Sequence, residues 1–158
     1  MAPRQTAQDK LRELSESARF LFAKDRLATF KGFAFDKVKN AVCTSDKVAN
    51  AGFYCTGKES GKCPFCLKEL DFDPEDDPWY EHSSRQKDCA FVKLGKLDEG
   101  SWTVAETITL AAHSITMAKC EQQVEILKQW QKTMTTEALA DKLSKTTTET
   151  KPRNVRTK

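Results

Sequence analysis

Gly61-Lys62-Cys63-Pro64-Phe65-Cys66-Leu67-Lys68 is the stretch whose reading decides the fold. A Cys-x-x-Cys knuckle lets two thiolates reach one ion from a single tight turn, and later ligands must close the tetrahedron. Fifteen residues separate Cys66 from His82, and six separate His82 from Cys89. Cys63, Cys66, His82 and Cys89 form a closed set of three thiolates and one imidazole. With no open coordination position, that set predicts one structural zinc ion and argues against hydrolytic zinc. Gly61, just ahead of the knuckle, is expected to take an unusual backbone angle.

Working outward, Phe53-Tyr54-Cys55 reads as a strand, Thr56 to Lys62 as a turn, and Lys62 to Leu70 as short strands around the knuckle. Thr44-Ser45-Asp46 offers caps for a helix over Asp46 to Ala51 that Gly52 stops. Asp77-Pro78 starts another helix, one turn before His82, and Cys89 to Leu94 makes a further one ending at Gly95. Upstream, Ser17 to Phe30 carries one or two short helices ending near Gly32, and Phe30, Phe33 and Phe35 belong to the core. Two ligands therefore come from the sheet and two from helices, so the metal ties the layers together.

Past Gly100 the character changes. Thr103-x-x-Glu106 is a capping box, and no Pro or Gly occurs from Ser101 to Thr150. A helix of thirty or more residues would be about 45 Å long, more than a zinc domain of this size covers. Val104, Ile108, Ala111, Ile115 and Ala118 form one apolar stripe. Cys120, Val124, Leu127 and Met134 form an offset second stripe with Trp130 beside it. Unburied stripes need something to pack on, so partner helices are expected along Val104, Ile108, Ile115, Val124, Leu127 and Trp130. The expected organisation is a disordered start (1–14), a zinc domain (15–97), a partner-binding helix (101–145) and a basic disordered tail (146–158). The fold class is α+β.

Composition bounds the function. The 158 residues are 39% hydrophobic and 31% charged, with a formal net charge of +3, too small by itself to imply nucleic acid. Asp71 to Ser84 holds six acidic residues and no Lys or Arg, whereas Lys151 to Lys158 holds four basic residues and no acid. The first thirty residues lack a signal-peptide core, and no apolar run is long enough to span a membrane. A reducing compartment follows, in which Cys43, Cys55 and Cys120 stay free. No histidine stands as a base beside a free thiol, so no enzyme is expected.

Arg26-x-x-Thr29-Phe30, Cys43-Thr44, Ala51-Gly52-Phe53, the four ligands and Cys89-Ala90-Phe91 together resemble the baculoviral IAP repeat, or BIR, family over about Arg26 to Leu94. Lys68-Glu69-Leu70, Asp76-Asp77-Pro78 and the following long helix are similar to the survivin-like, single-BIR branch. That resemblance implies a short three-stranded antiparallel sheet with several short helices. It also implies reading of the histone-three amino terminus when its third residue is a phosphorylated threonine. The positions matching that site are Lys68, Leu70, Asp71, Phe72, Asp76 and Arg85. Acidic side chains suit a free amine, an apolar wall of Leu70 and Phe72 suits a first methyl group, and Lys68 and Arg85 suit phosphate.

By the same resemblance, inner centromere protein and a borealin-like subunit pack on the helix and localise an Aurora-type kinase. The chain would then work at centromeres, the spindle midzone and the midbody, besides nucleus and cytoplasm, with a homodimer possible when free. No membrane and no sequence-specific DNA partner is expected. The alternative is an inhibitor of apoptosis acting on caspases or other Ala-starting ligands. Three departures stand out. Phe33-Ala34 replaces Trp-Pro, one glycine is missing between Asp71 and Phe72, and Arg85 stands where the family has His.

Overall fold

The computed structural model describes residue 16, residues 18–133 and residues 136–147. Segment 1–14 and residues 148–158 of the tail expected to be disordered from 146 lie outside them, whereas residues 146 and 147 end a helix. Two compact units divide the chain, Met1–Glu121 and Gln122–Lys158.

The first unit is an α+β domain around a three-stranded antiparallel sheet in the order β1 (Tyr54–Cys55), β2 (Ser60–Lys62), β3 (Glu69–Asp71). Gly61 pairs with Cys55 on one side and Leu70 on the other. Before the sheet come α1 (Ala23–Leu27), a 3-10 turn (Ala34–Lys37) and α2 (Ser45–Asn50). After it come α3 (Pro78–Arg85) and α4 (Ala90–Leu94). The capping chemistry holds: the Thr44 hydroxyl accepts from Lys47 N, and the Asp77 carboxylate accepts from Trp79 N and Tyr80 N, with Pro78 in the first turn. Gly95 takes the left-handed conformation that ends α4.

Two local expectations are corrected. The first helix ends at Leu27, short of Phe30. Thr29 ends it, because its hydroxyl donates to Arg26 O (2.6 Å) and accepts from Cys55 N (2.8 Å), which turns the chain into the sheet. The unusual backbone angle belongs to Leu67 (φ 60°), inside the knuckle loop, and Gly61 is absent from the positive-φ positions. Gly61 is needed for space instead: a Cβ there would stand 3.0 Å from Phe53 Cβ.

The core is aromatic. Phe30, Phe33 and Phe35 step edge-to-face with 5.3 Å between successive centroids, Phe65 of the knuckle stacks on Phe91 at 5.2 Å, and Phe53 lies 4.5 Å from the His82 ring. Cys43 is fully enclosed, and burial pushes its thiol up to about 12, so it packs as a small neutral side chain.

Glu99–Ser101 makes a second 3-10 turn, and α5 runs from Val104 to Thr133. The capping box forms in full: Thr103 N donates to a Glu106 carboxylate oxygen (2.8 Å), and Glu106 N donates to the Thr103 hydroxyl (3.3 Å). The Lys96 ammonium beside it and the Thr103 amide hold the Glu106 carboxyl down at about 2.

Within the first unit α5 packs on the domain through Leu110 and Ser114, which lie off the expected stripes, and through residues of the first stripe. Leu110 and Ser114 are buried, Ala111 packs against the core, and Glu121 pairs with Lys62. Ala111 and Ala118, expected on an outward stripe, belong to or flank this inner face, since Ala118 lines a cleft with Phe20, Tyr54 and Ser114. In the second unit, α6 covers Thr136–Thr147.

Candidate metal centre and strand edge

Cys63 ends β2's hairpin and Cys66 closes the knuckle. Cys63 N donates to Lys68 O, and Leu67 N donates to Cys63 O (both 2.9 Å), which closes the loop on itself. His82 comes from α3, and Cys89 caps α4. The four ligand atoms lie within 4.8 Å of one another, and Cys63, His82 and Cys89 are buried.

Their spacing tests the donor set. Ligands on an ideal tetrahedron, with sulfur at 2.3 Å and nitrogen at 2.0–2.1 Å from the ion, stand about 3.8 Å apart for two sulfurs and about 3.6 Å for sulfur and nitrogen. Cys63 and Cys89 Sγ are 3.9 Å apart, and Cys66 Sγ is 3.6 Å from His82 Nε2. The residues fit a four-coordinate metal ion.

Second contacts fix the ligands. Ala51 O lies 2.7 Å from His82 Nδ1, so this ring nitrogen carries the proton and Nε2 faces the cluster. Ala51 reaches that position because Gly52 (φ +99°) turns beside it, where a Cβ would stand 2.8 Å from the Phe91 ring. Burial disfavours a charged His82, but the Cys66 and Cys89 sulfurs and the Ala51 carbonyl outweigh it and raise the imidazole to about 9. Cys63, the most enclosed thiol, is pushed up by burial. The Cys63 and Cys66 thiols pull Cys89 below its ordinary value.

A cation stands behind this cluster. Arg26 is fully buried and donates to Ala49 O (2.9 Å), Phe20 O (3.0 Å), Leu21 O (2.6 Å) and Glu99 (3.1 Å). Its guanidinium lies over the Phe91 and Phe65 rings, 5.4 and 5.9 Å from their centroids. Three thiolates and a divalent ion leave one net negative charge, and Arg26 is the buried positive charge nearest to balance it. Desolvation lowers its pKa and Glu99 raises it. The sequence showed Arg26 as part of a motif, but nothing in composition marks an arginine as internal.

The six expected peptide contacts divide. Asp71 is exposed and Asp76 half-buried, while Leu70 and Phe72 are 8% and 3% exposed. Phe72 packs edge-on against Phe53 at 5.4 Å. Strand alternation explains the split: Leu70 and Phe72 share the core face, and Asp71 between them faces out. Asp76 accepts from Asp73 N (2.8 Å), which tightens the acidic loop. Lys68 is half-buried. Arg85, exposed at the end of α3, is ion-paired with Glu81 through Nε (2.6 Å).

β3 is an edge strand. Lys68 O and Phe72 N both bond towards β2, so the backbone groups of Glu69 and Asp71 point off the sheet. The arrangement offers an open edge for one more strand, with carboxylates at its end.

On α5, Val104 (77% exposed), Ile108, Val124, Leu127 and Trp130 stand in the open, and Ile115 is half-buried. Ile126, absent from the expected stripes, is exposed as well.

A Cys3His cluster that joins a three-stranded sheet to short helices defines a small metal-stapled domain class. Residues 26–93 match the family described as BIR, Inhibitor of Apoptosis domain. The chain is 50% identical over 131 residues to "Chromosomal passenger complex protein bir-1" of Caenorhabditis elegans, covering 83% of this chain and 84% of that protein. It is 48% identical over 123 residues to "Baculoviral IAP repeat-containing protein bir-2" of the same organism, 75% of this chain but 40% of that protein. Against "Baculoviral IAP repeat-containing protein 5.1-A" of Xenopus laevis it is 45% identical over 76 residues, 45% of this chain and 46% of that protein. The chain belongs to the BIR family, in its survivin-like branch.

Proposed function

We propose that this protein is a non-enzymatic adaptor of the chromosomal passenger complex. Its BIR domain is held by one structural zinc ion and reads a phosphorylated histone-three tail. Its long helix binds inner centromere protein and a borealin-like subunit, which brings an Aurora-type kinase to centromeres and, later, to the midzone and midbody. The likeness to the bir-1 protein supports the complex, and the Cys3His spacing supports zinc.

The observation that carries the reading is one chain presenting both an open acidic strand edge and a helix with apolar side chains left in the open. A basic peptide with a free amine adds to β3 by main-chain pairing, and Asp71 and Asp76 take its amine. Arg85 exchanges Glu81 for phosphate, a stronger acceptor, with Lys68 as the second cation. Ile108 and Leu127, each 63% exposed, lie one on each expected stripe and stand open to partner helices.

Co-expression with inner centromere protein and the borealin-like subunit tests the adaptor role. The wild type should co-purify with both. Ile108→Asp and Leu127→Asp should each lose a partner, because a charge is then buried in an apolar seam. Zinc content should not change. Full co-purification of both variants would reject the helix as the assembly element.

A further inference from the structure

One loop of the domain is positively charged, rigid and unused by the reading above. Lys31, Lys37, Lys39 and Lys58 are all exposed. Phe30, Phe33 and Phe35, which interleave with the first two of these lysines, are 7%, 2% and 7% exposed and lock together edge-to-face. The backbone between the lysines is thus pinned to the core, and their side chains project outward. Lys58 joins them from the β1–β2 turn, its carbonyl accepting from Ala34 N at 2.9 Å.

Within the two lysine-bearing segments the acids do not cancel this charge. The Asp36 carboxylate is occupied by Ser45 N (2.8 Å). Counting Asp36 and Glu59 against the four lysines leaves +2. Ion pairs among the described residues engage Lys62, Lys93 and Lys96 and none of these four. The loop is also stitched to the acidic segment, because Val42 N and Cys43 N both donate to Pro74 O, at 2.8 and 3.0 Å. Surfaces of opposite sign are therefore immediate neighbours.

We propose that the Lys31, Lys37, Lys39 and Lys58 surface binds the phosphate backbone of duplex DNA without reading its sequence. The inference rests on the peptide reading in one respect: a basic tail presented on chromatin lies beside DNA. The acidic edge then takes the tail and the lysines take the neighbouring polyanion. Point-charge ammonium groups on a fixed loop suit phosphates and offer no bidentate base contacts.

The test is fluorescence anisotropy of the full chain with a short labelled duplex, from about 50 to 200 mM salt. Four phosphate contacts predict a log–log salt slope of about −3 to −4. The variant Lys31→Glu/Lys37→Glu/Lys39→Glu should lose at least about tenfold in duplex affinity and most of that slope, and Lys→Gln at the same positions should lose less. Zinc content and melting temperature report whether each variant folds. Affinity for a free phosphothreonine peptide should be unchanged. Equal duplex binding by the wild type and both variants overturns the proposal and transfers the affinity to the basic tail. No duplex binding by the wild type at the lowest salt overturns it too. A wild type that binds the duplex through these lysines but ignores the peptide sustains the proposal and sinks the peptide reading alone.

Discussion

Arg26 engages all three of its guanidinium nitrogens inside the protein. Two carbonyls of the segment before α1, one of α2, and Glu99 ahead of α5 all converge on it, and two rings of the metal layer flank it. Removing it uncovers buried carbonyls and strips Glu99 of its cationic partner, leaving it only the Ala23 amide (2.7 Å). Arg26→Ala should cost about 3–5 kcal/mol, the range for breaking a buried pair. Arg26→Lys should recover only part of that, because an ammonium has no planar fork. Urea unfolding of the zinc-loaded protein measures both; a loss under about 1 kcal/mol for the alanine variant would contradict the packing described. At this scale the four metal ligands were legible, since donor type and spacing are written in the chain. The burial of Arg26 was not, because charge in a short amphipathic helix reads as surface. Leu70 and Phe72 were placed in a pocket wall, although an outward Asp71 already fixes its neighbours inward by strand parity.

Among the elements, α5 is the one whose inner face was hardest to read from the sequence. Val104 and Ile108 stand outside, and Leu110, Ala111 and Ser114 sit against the domain. Small and polar residues permit close approach of a helix, so the packed face carried little hydrophobic signal. The start of the helix was legible, because a capping box is a local device that tertiary contacts need not supply. Thr103→Ala removes the hydroxyl that accepts from Glu106 N and donates to the Glu106 carboxylate. It should cost about 1 kcal/mol. Hydrogen exchange of the amides from Val104 to Thr107 should accelerate, while the amides of α3 keep their protection. Unchanged exchange in that first turn would mean that the Lys96–Glu106 pair alone holds it.

For the molecule as a whole, the metal stands between fold and function. The sheet has three short strands and α4 has five residues, so elements this small need a staple to persist. Binding free energy of the metal is then folding free energy. Stripping zinc, or Cys89→Ala, should abolish cooperative melting of the BIR domain, whereas Cys120→Ala on the exposed face of α5 should leave it intact. Folded protein with a metal count near zero would refute the staple. The proposed peptide site inherits this dependence, because β3 and α3, which carry Asp71 and Arg85, are joined through Cys63, Cys66 and His82. The measurement that tests the account most directly is calorimetric titration of the zinc-loaded protein with an Ala-Arg-phosphoThr-Lys peptide and its unphosphorylated twin. A charge-assisted phosphate contact is worth about 1.5–3 kcal/mol, so the phosphorylated form should bind about tenfold tighter or more. Arg85→Ala should close most of that gap, and Asp71→Ala and Asp76→Ala should weaken both forms alike. Equal affinity of the wild type for the two peptides would contradict the account.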